Sequence, residues 1–193
     1  MSKKFQIALA AFFCMSIFHA QIYIENVTVV DVIHKKLIPA QTVVFSGKPI
    51  TAIKPSRQIK IPKNSHVIDG KGKYLMPGMT DAHVHFFQSG GLYTRPDALD
   101  LRKHVPYEKE ISWSHHNMEG LLQRYLKMGM TSVIDPGATY NLLKLRDSLK
   151  ENVRLPSVYM SGPLITTYEP EAFKNLNKDE PFRLLSSVDE AKK

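Results

Sequence analysis

A chain of 193 residues is long enough for one ordinary domain, or for a domain and a small companion. Its 43% hydrophobic and 23% charged residues are those of a globular protein and exclude a low-complexity or disordered chain. The formal charge is +8, but the basic residues are scattered, and no stripe interleaves them with aromatics, which argues against a nucleic-acid surface.

Residues 1–20 read as a signal peptide. Lys3-Lys4 is the positive n-region, Ile7 to Phe18 the apolar h-region, and Ala20 a small residue before polar Gln21. Phe18 departs from the small-x-small pattern at the cut. The apolar run falls short of the roughly 20 residues that span a bilayer, so no stable membrane span is expected once the leader is removed. The expected location is secreted, periplasmic in a Gram-negative cell. The single cysteine, Cys14, lies in this leader, so the mature chain forms no disulfide. Loss of Lys3 and Lys4 leaves a charge of +6, from 24 basic and 18 acidic residues.

Residues 21–76 carry short β-branched runs: Ile22-Tyr23-Ile24, Val27 to Val32, Thr42 to Phe45, Ile50 to Ile53 and His66 to Ile68. Ser46-Gly47-Lys48-Pro49 and Asp69-Gly70-Lys71-Gly72 punctuate them as turns. The expectation is a β-sandwich without a catalytic cluster.

After Pro77-Gly78 the pattern changes. Met79 to Phe86 reads as a strand, and residues 87–116 as a long polar loop. Asn117 is placed to cap a helix whose Met118, Leu121, Leu122, Tyr125 and Leu126 share a face, with Gly129 ending it. Thr131 to Ile134 is a second strand, Leu142 to Leu149 a second helix, and Val158 to Met160 a third strand. Met128, Met130 and Met160 are expected in the core. Ser187-Val188-Asp189-Glu190 is a capping box that opens a third helix. Strand–helix alternation implies parallel strands with right-handed crossovers. The expected fold is therefore α/β: an N-terminal β-sandwich, then residues 77–193 as the first three β/α units of an incomplete TIM (β/α)8 barrel, which in full needs roughly 250 residues. The sequence ends just after the capping box, which reads as a fragment of a longer protein.

The chemistry concentrates in Asp81-Ala82-His83-Val84-His85. On a strand, residues 81, 83 and 85 share a face, and two imidazoles two apart can ligate one metal. Neutral imidazole suits Zn²⁺, with Mn²⁺, Fe²⁺ or Ni²⁺ also open. Asp81, deeper on that face, would orient a ligand histidine as an acceptor. A bare His-x-His also fits two surface histidines. Asp135, ending the second strand, is a candidate for a supporting or catalytic role beside capping of the Pro136-Gly137 turn. Tyr93 and Arg95, in the loop after the first strand, are candidates for meeting a substrate carboxylate. His104, His115 and His116 read as surface residues, and Trp113 as an anchor for the long loop.

The run Leu75 to His85 resembles the first barrel strand of the amidohydrolase superfamily, and Val67-Ile68-Asp69-Gly70-Lys71-Gly72 resembles the join between that family's β-sandwich and barrel. Gly129 to Asp135 and Val158 to Pro163 look like its second and third strands. The nearest subgroups are the imidazolonepropionase-like and Xaa-Pro dipeptidase-like enzymes. The resemblance implies that His83 and His85 hold the more buried of one or two Zn²⁺ ions. It also implies a bridging lysine on a fourth strand, histidines on strands five and six, and an aspartate on strand eight. A metal-held hydroxide would then attack the carbonyl of a cyclic amide or dipeptide. The later ligands lie outside these residues, so the 193-residue chain is expected to bind metal weakly and to be inactive alone. The competing readings are a non-enzymatic exported binding module and a metal-scavenging module. Oligomeric state is not legible.

Overall fold

The structure is a computed structural model that describes residues 21–192; the expected leader lies outside the described residues. These residues divide into two compact units, one ending at Pro77 and the next starting at Gly78.

The first unit is built around one long strand, β1 (Gln21–Asp31). It pairs antiparallel with β2 (Lys36–Ser46), which pairs antiparallel with β3 (Ile50–Pro55). On its other edge β1 pairs in parallel with β4 (His66–Asp69) and then β5 (Tyr74–Leu75). Two expected strands thus fuse into β1, which is irregular between Ile24 and Val29, where Asn26 adopts a positive φ of 55°. Local chemistry sets the turns. The Asp31 carboxylate accepts from the amides of Ile33 and His34 and holds the β1–β2 turn. Asp69 accepts from the Lys71 amide in the turn after β4. Tyr23, Val27, Val43 and Val44 are buried.

This is a single five-stranded sheet, not the sandwich expected from the sequence. Among the described residues every strand of the unit belongs to this one sheet, β2, β4 and β5 paired with β1 and β3 with β2, so none of them forms a facing layer. Val67 and Ile68 on β4 stay exposed.

The second unit alternates strand and helix. Its strands β6 (Met79–Asp81), β7 (Met130–Asp135) and β8 (Ser157–Met160) form a parallel sheet in chain order. The connections carry helices α1 (Tyr107–Lys127) and α2 (Tyr140–Leu149). A short helix, α3 (Val188–Ala191), follows the capping box, with the Ser187 hydroxyl accepting from the Glu190 amide. Two further short strands, β9 (Leu164–Thr166) and β10 (Phe182–Leu184), pair in parallel with each other. The chain is thus mixed α/β, and no barrel closes among the described residues.

Helix α1 starts ten residues before the expected cap at Asn117. Pro106 precedes its first residue, and Glu108 and Glu110 lie in the first turn, where the helix dipole favours negative charge. Asn117 lies inside the helix, and its side-chain amide donates to the Trp113 carbonyl one turn back. Gly129, at φ 85°, ends the helix as expected, its amide donating to the Leu126 carbonyl. The core joins α1 and α2 to the sheet: Met118, Leu122, Val133, Ala138 and Leu142 are almost fully buried with Phe86 and Phe87. Met128 is 61% exposed and is not core. Trp113 lies on α1, also exposed, rather than anchoring a loop. No helix among the described residues is long and apolar enough to cross a membrane.

Candidate metal centre

The parallel strands β6 and β7 run side by side, so the residues at their C-terminal ends gather at one edge of the sheet. The regular ladder of β6 stops at Asp81, yet the chain does not leave β7. The Val84 amide donates to the Ile134 carbonyl at 3.0 Å, and the Phe86 amide donates to Asp135 Oδ2 at 3.0 Å. Those two bonds bracket His85. Phe86 and Phe87, immediately after it, plunge into the core and hold the segment down.

The result is a close imidazole pair. His83 Nε2 and His85 Nε2 are 3.3 Å apart, with the rings edge-to-face at 5.0 Å between centroids. Zinc–imidazole bonds of about 2.0–2.1 Å at a tetrahedral angle place two ligand nitrogens about 3.3–3.4 Å apart, so the pair has the spacing that one metal ion requires. His83 is exposed and His85 half-buried, which leaves the pair open to solvent.

Behind His85 lies Asp135, the last residue of β7, with no solvent exposure. Its Oδ1 is 3.3 Å from His85 Nδ1 and also accepts from the Gly137 amide at 3.0 Å. The turn-capping role is therefore real, and the same carboxylate faces an imidazole.

Among the described residues Asp81 makes no hydrogen bond to an imidazole. Its Oδ1 accepts from the backbone amide of His83 at 3.2 Å, because the bend after β6 turns that amide toward it. The carboxylate that contacts the ring of His85 is that of Asp135. Arg95 pairs within its own loop. Its Nε and Nη2 hold both oxygens of Asp97 at 2.9 and 2.8 Å, a bidentate pair that keeps the Asp97 carboxyl below its usual range. Tyr93 is half-buried in the same loop, and among the described residues neither side chain hydrogen-bonds to the histidine pair. His104 and His116 are exposed.

His115 is not a free surface residue. Its Nε2 lies 2.9 Å from Asp179 Oδ1, and Asp179 also accepts from Thr139 Oγ1 at 3.0 Å and Asn141 Nδ2 at 2.8 Å. This network ties the segment before β10 to α1 and to the start of α2. No local pattern announces it, since Asp179 lies 64 residues from His115.

Two imidazoles are short of the three or four protein ligands that zinc sites use. Among the described residues no group of three or more His, Cys, Asp or Glu side chains is arranged to hold a metal.

No family model matches the chain. Over 66 residues it is 36% identical to an adenine deaminase of Desulforamulus reducens, a stretch covering 34% of this chain and 10% of that enzyme. Over 75 residues it is 37% identical to an imidazolonepropionase of Alkaliphilus metalliredigens, covering 37% and 17%. A solved prolidase structure, complexed with N-methylphosphonate-L-proline, shares the fold with a TM-score of 0.63 at 22% identity, over 88% of this chain and 42% of that one. These likenesses support a relation to the amidohydrolase superfamily. The chain matches less than half the length of each of these relatives.

Proposed function

We propose that this chain is part of an amidohydrolase and carries one half of a divalent metal site in an exported hydrolase that cleaves carbon–nitrogen bonds. The observation that carries the reading is the 3.3 Å approach of His83 Nε2 to His85 Nε2 at the C-terminal edge of a parallel sheet, where a (β/α)8 barrel keeps its chemistry. On this reading β6, β7 and β8 are the first three strands of such a barrel. The substrate class is a cyclic amide or a dipeptide: the curated relatives are named for adenine and for imidazolonepropionate, and the prolidase carries a proline phosphonate.

His83 and His85 would hold Zn²⁺ through Nε2, alone or as one of two ions. When bound, the ion supplies a Lewis acid that activates water near neutral pH and polarises the scissile carbonyl. The chain's own contribution is positional. The Val84 and Phe86 amide bonds fix the His85 backbone against β7, and the adjacent phenylalanines seal the floor beneath the pair.

Imidazole NMR of the 193-residue chain during Zn²⁺ titration tests this. Of its eight histidines, His83 and His85 are expected to shift together, and both shifts are expected to vanish in His83→Ala. Shifts confined to other histidines, or none, would overturn the reading. With only two ligands in place, the chain is expected not to hydrolyse dipeptides or cyclic amides. Zinc-dependent turnover lost in His85→Ala would instead refute the half-site.

A further inference from the structure

We infer that Asp135 is a positioning residue that sets which nitrogen of His85 is free to bind a metal, with Gly137 providing the space in which the ring is held. The inference deepens the metal reading above and rests on it only for its consequence, not for its geometry.

A buried carboxylate away from water must have its oxygens satisfied. Asp135 is fully buried, and its hydrogen-bonding partners are the Phe86 amide on Oδ2 and the Gly137 amide and His85 Nδ1 on Oδ1. Both backbone amides can only donate. An ionised carboxylate can only accept, so the His85 nitrogen facing it carries the proton. In the neutral ring that leaves Nε2 with the lone pair, and Nε2 is the atom directed at His83. Carboxylate–histidine pairs that fix the tautomer of a ligand in this way are a general device of metal sites.

The same carboxylate also fixes where the ring sits. Its bond to the Phe86 amide replaces the strand ladder that β6 abandons at Asp81, and its bond to the Gly137 amide shapes the turn under the ring. A Cβ on Gly137 would lie 3.2 Å from His85 Cε1, the carbon between the two ring nitrogens, and 2.7 Å from Leu164 Cγ and Cδ2. Glycine is thus the residue that lets the imidazole lie against the turn. Among the described residues His83 has no comparable support: its backbone amide meets Asp81, and its ring meets only His85 by hydrogen bond. The pair is asymmetric, with one histidine preset and the other free to adjust to an ion.

Nitrogen-15 NMR of imidazole-labelled, metal-free chain reads the tautomer directly. His85 is expected as the Nδ1–H form. A wild-type His85 protonated on Nε2 alone overturns the inference before any variant is made. Asp135→Asn replaces one acceptor oxygen with a donor, and the His85 tautomer is expected to become mixed or reversed. Unaltered far-ultraviolet circular dichroism confirms that the variant is folded. Zinc affinity is expected to fall about 10–100-fold. Gly137→Ala, which keeps the carboxylate, is expected to weaken zinc binding while leaving the Nδ1–H form in place. A folded Asp135→Asn chain with the wild-type tautomer overturns the positioning role even if zinc binds at His83 and His85. A tautomer that depends on Asp135 in a chain whose two histidines ignore zinc overturns the metal reading and leaves the positioning role standing.

Discussion

The most exposed claim about stability concerns Asp179. Its carboxylate is 7% exposed as a residue and receives three hydrogen bonds, from His115, Thr139 and Asn141. The three donors do not suffer equally when it is removed. Thr139 is 1% exposed, and its hydroxyl also accepts from the Leu142 amide as the cap of α2, so it cannot turn to water. Stranding that donor costs about 1–3 kcal/mol. The His115 ring is 29% exposed, and Asn141 keeps a bond to the Asn177 carbonyl, so each of those losses is nearer the ordinary net value of about 0.5–1.5 kcal/mol. Asp179→Ala is therefore expected to destabilise the second unit by about 2–6 kcal/mol. Trp113, the single tryptophan, lies on α1 in that unit and makes its fluorescence a specific probe of urea unfolding. At a slope of about 2 kcal/mol per molar urea, the midpoint should fall by about 1–3 M. A midpoint within about 0.3 M of wild type at unchanged slope refutes the network as a structural tie.

The charge gives the same claim a pH signature. Burial pushes the Asp179 carboxyl up, but the hydrogen bonds from His115 and Asn141, the His115 charge and the Thr139 hydroxyl bring it below its usual value overall. A carboxyl depressed in the folded state adds stability that is complete above its unfolded pKa of about 3.9, and that is lost as pH falls through the lower folded value. The stability gap between wild type and Asp179→Asn should thus shrink as pH falls below about 4. A gap that widens below about pH 4 refutes the sign.

Two further outcomes follow from other parts of the chain. Leu122→Ala, at a fully buried position between α1 and the sheet, should cost about 2–5 kcal/mol in the same urea assay, and a loss under 1 kcal/mol would mean that this core is not packed as described. The export proposal predicts that a Gram-negative host delivers the chain to its periplasm beginning at Gln21; N-terminal sequencing of periplasmic protein checks this, and retention of Met1 in the cytoplasm refutes it.

The fold was legible where local patterns decide it. The alternation of apolar strands with helical stripes, the stop at Gly129 and the Ser187 capping box are all short-range signals, and the structure has an element at each. The first half of α1 was hidden because buried Ser114 interrupts the stripe formed by Tyr107, Ile111, Met118 and Leu122, while Glu108, Lys109, His115 and His116 make the segment read as a polar loop. The sheet of the first unit was hidden for a different reason. β-Branched runs announce strands but not partners, and the parallel pairing of Ile22 with His66 joins residues more than forty apart. One sheet and two facing sheets share the same local signature, and only long-range pairing separates them.

The candidate site shows the same division more sharply. A His-x-His spacing was enough to suspect a shared metal, but the argument from strand alternation needed a strand through His85, and β6 ends at Asp81. The histidines meet regardless, because two hydrogen bonds to β7 hold the chain where a ladder would have held it, and one of these goes to a side chain. Strand alternation also selected Asp81 as the partner of the ring. That choice assumed the helper lies on the ligand's own strand. A carboxylate two or four residues away along a strand points the same way as the imidazole, but it lies about 7–14 Å along the axis. A residue at the end of the adjacent parallel strand is only about 4.8 Å across. The neighbouring strand's last residue is therefore the geometrically favoured orienter, and Asp135 occupies that position against His85. Nothing in residues 79–86 announces this. The register of β6 on β7, with Asp81 opposite Val133, continues to residue 83 opposite Asp135; the approach to His85 is set after β6 by the Val84 and Phe86 amide bonds to β7, across about fifty residues of intervening chain.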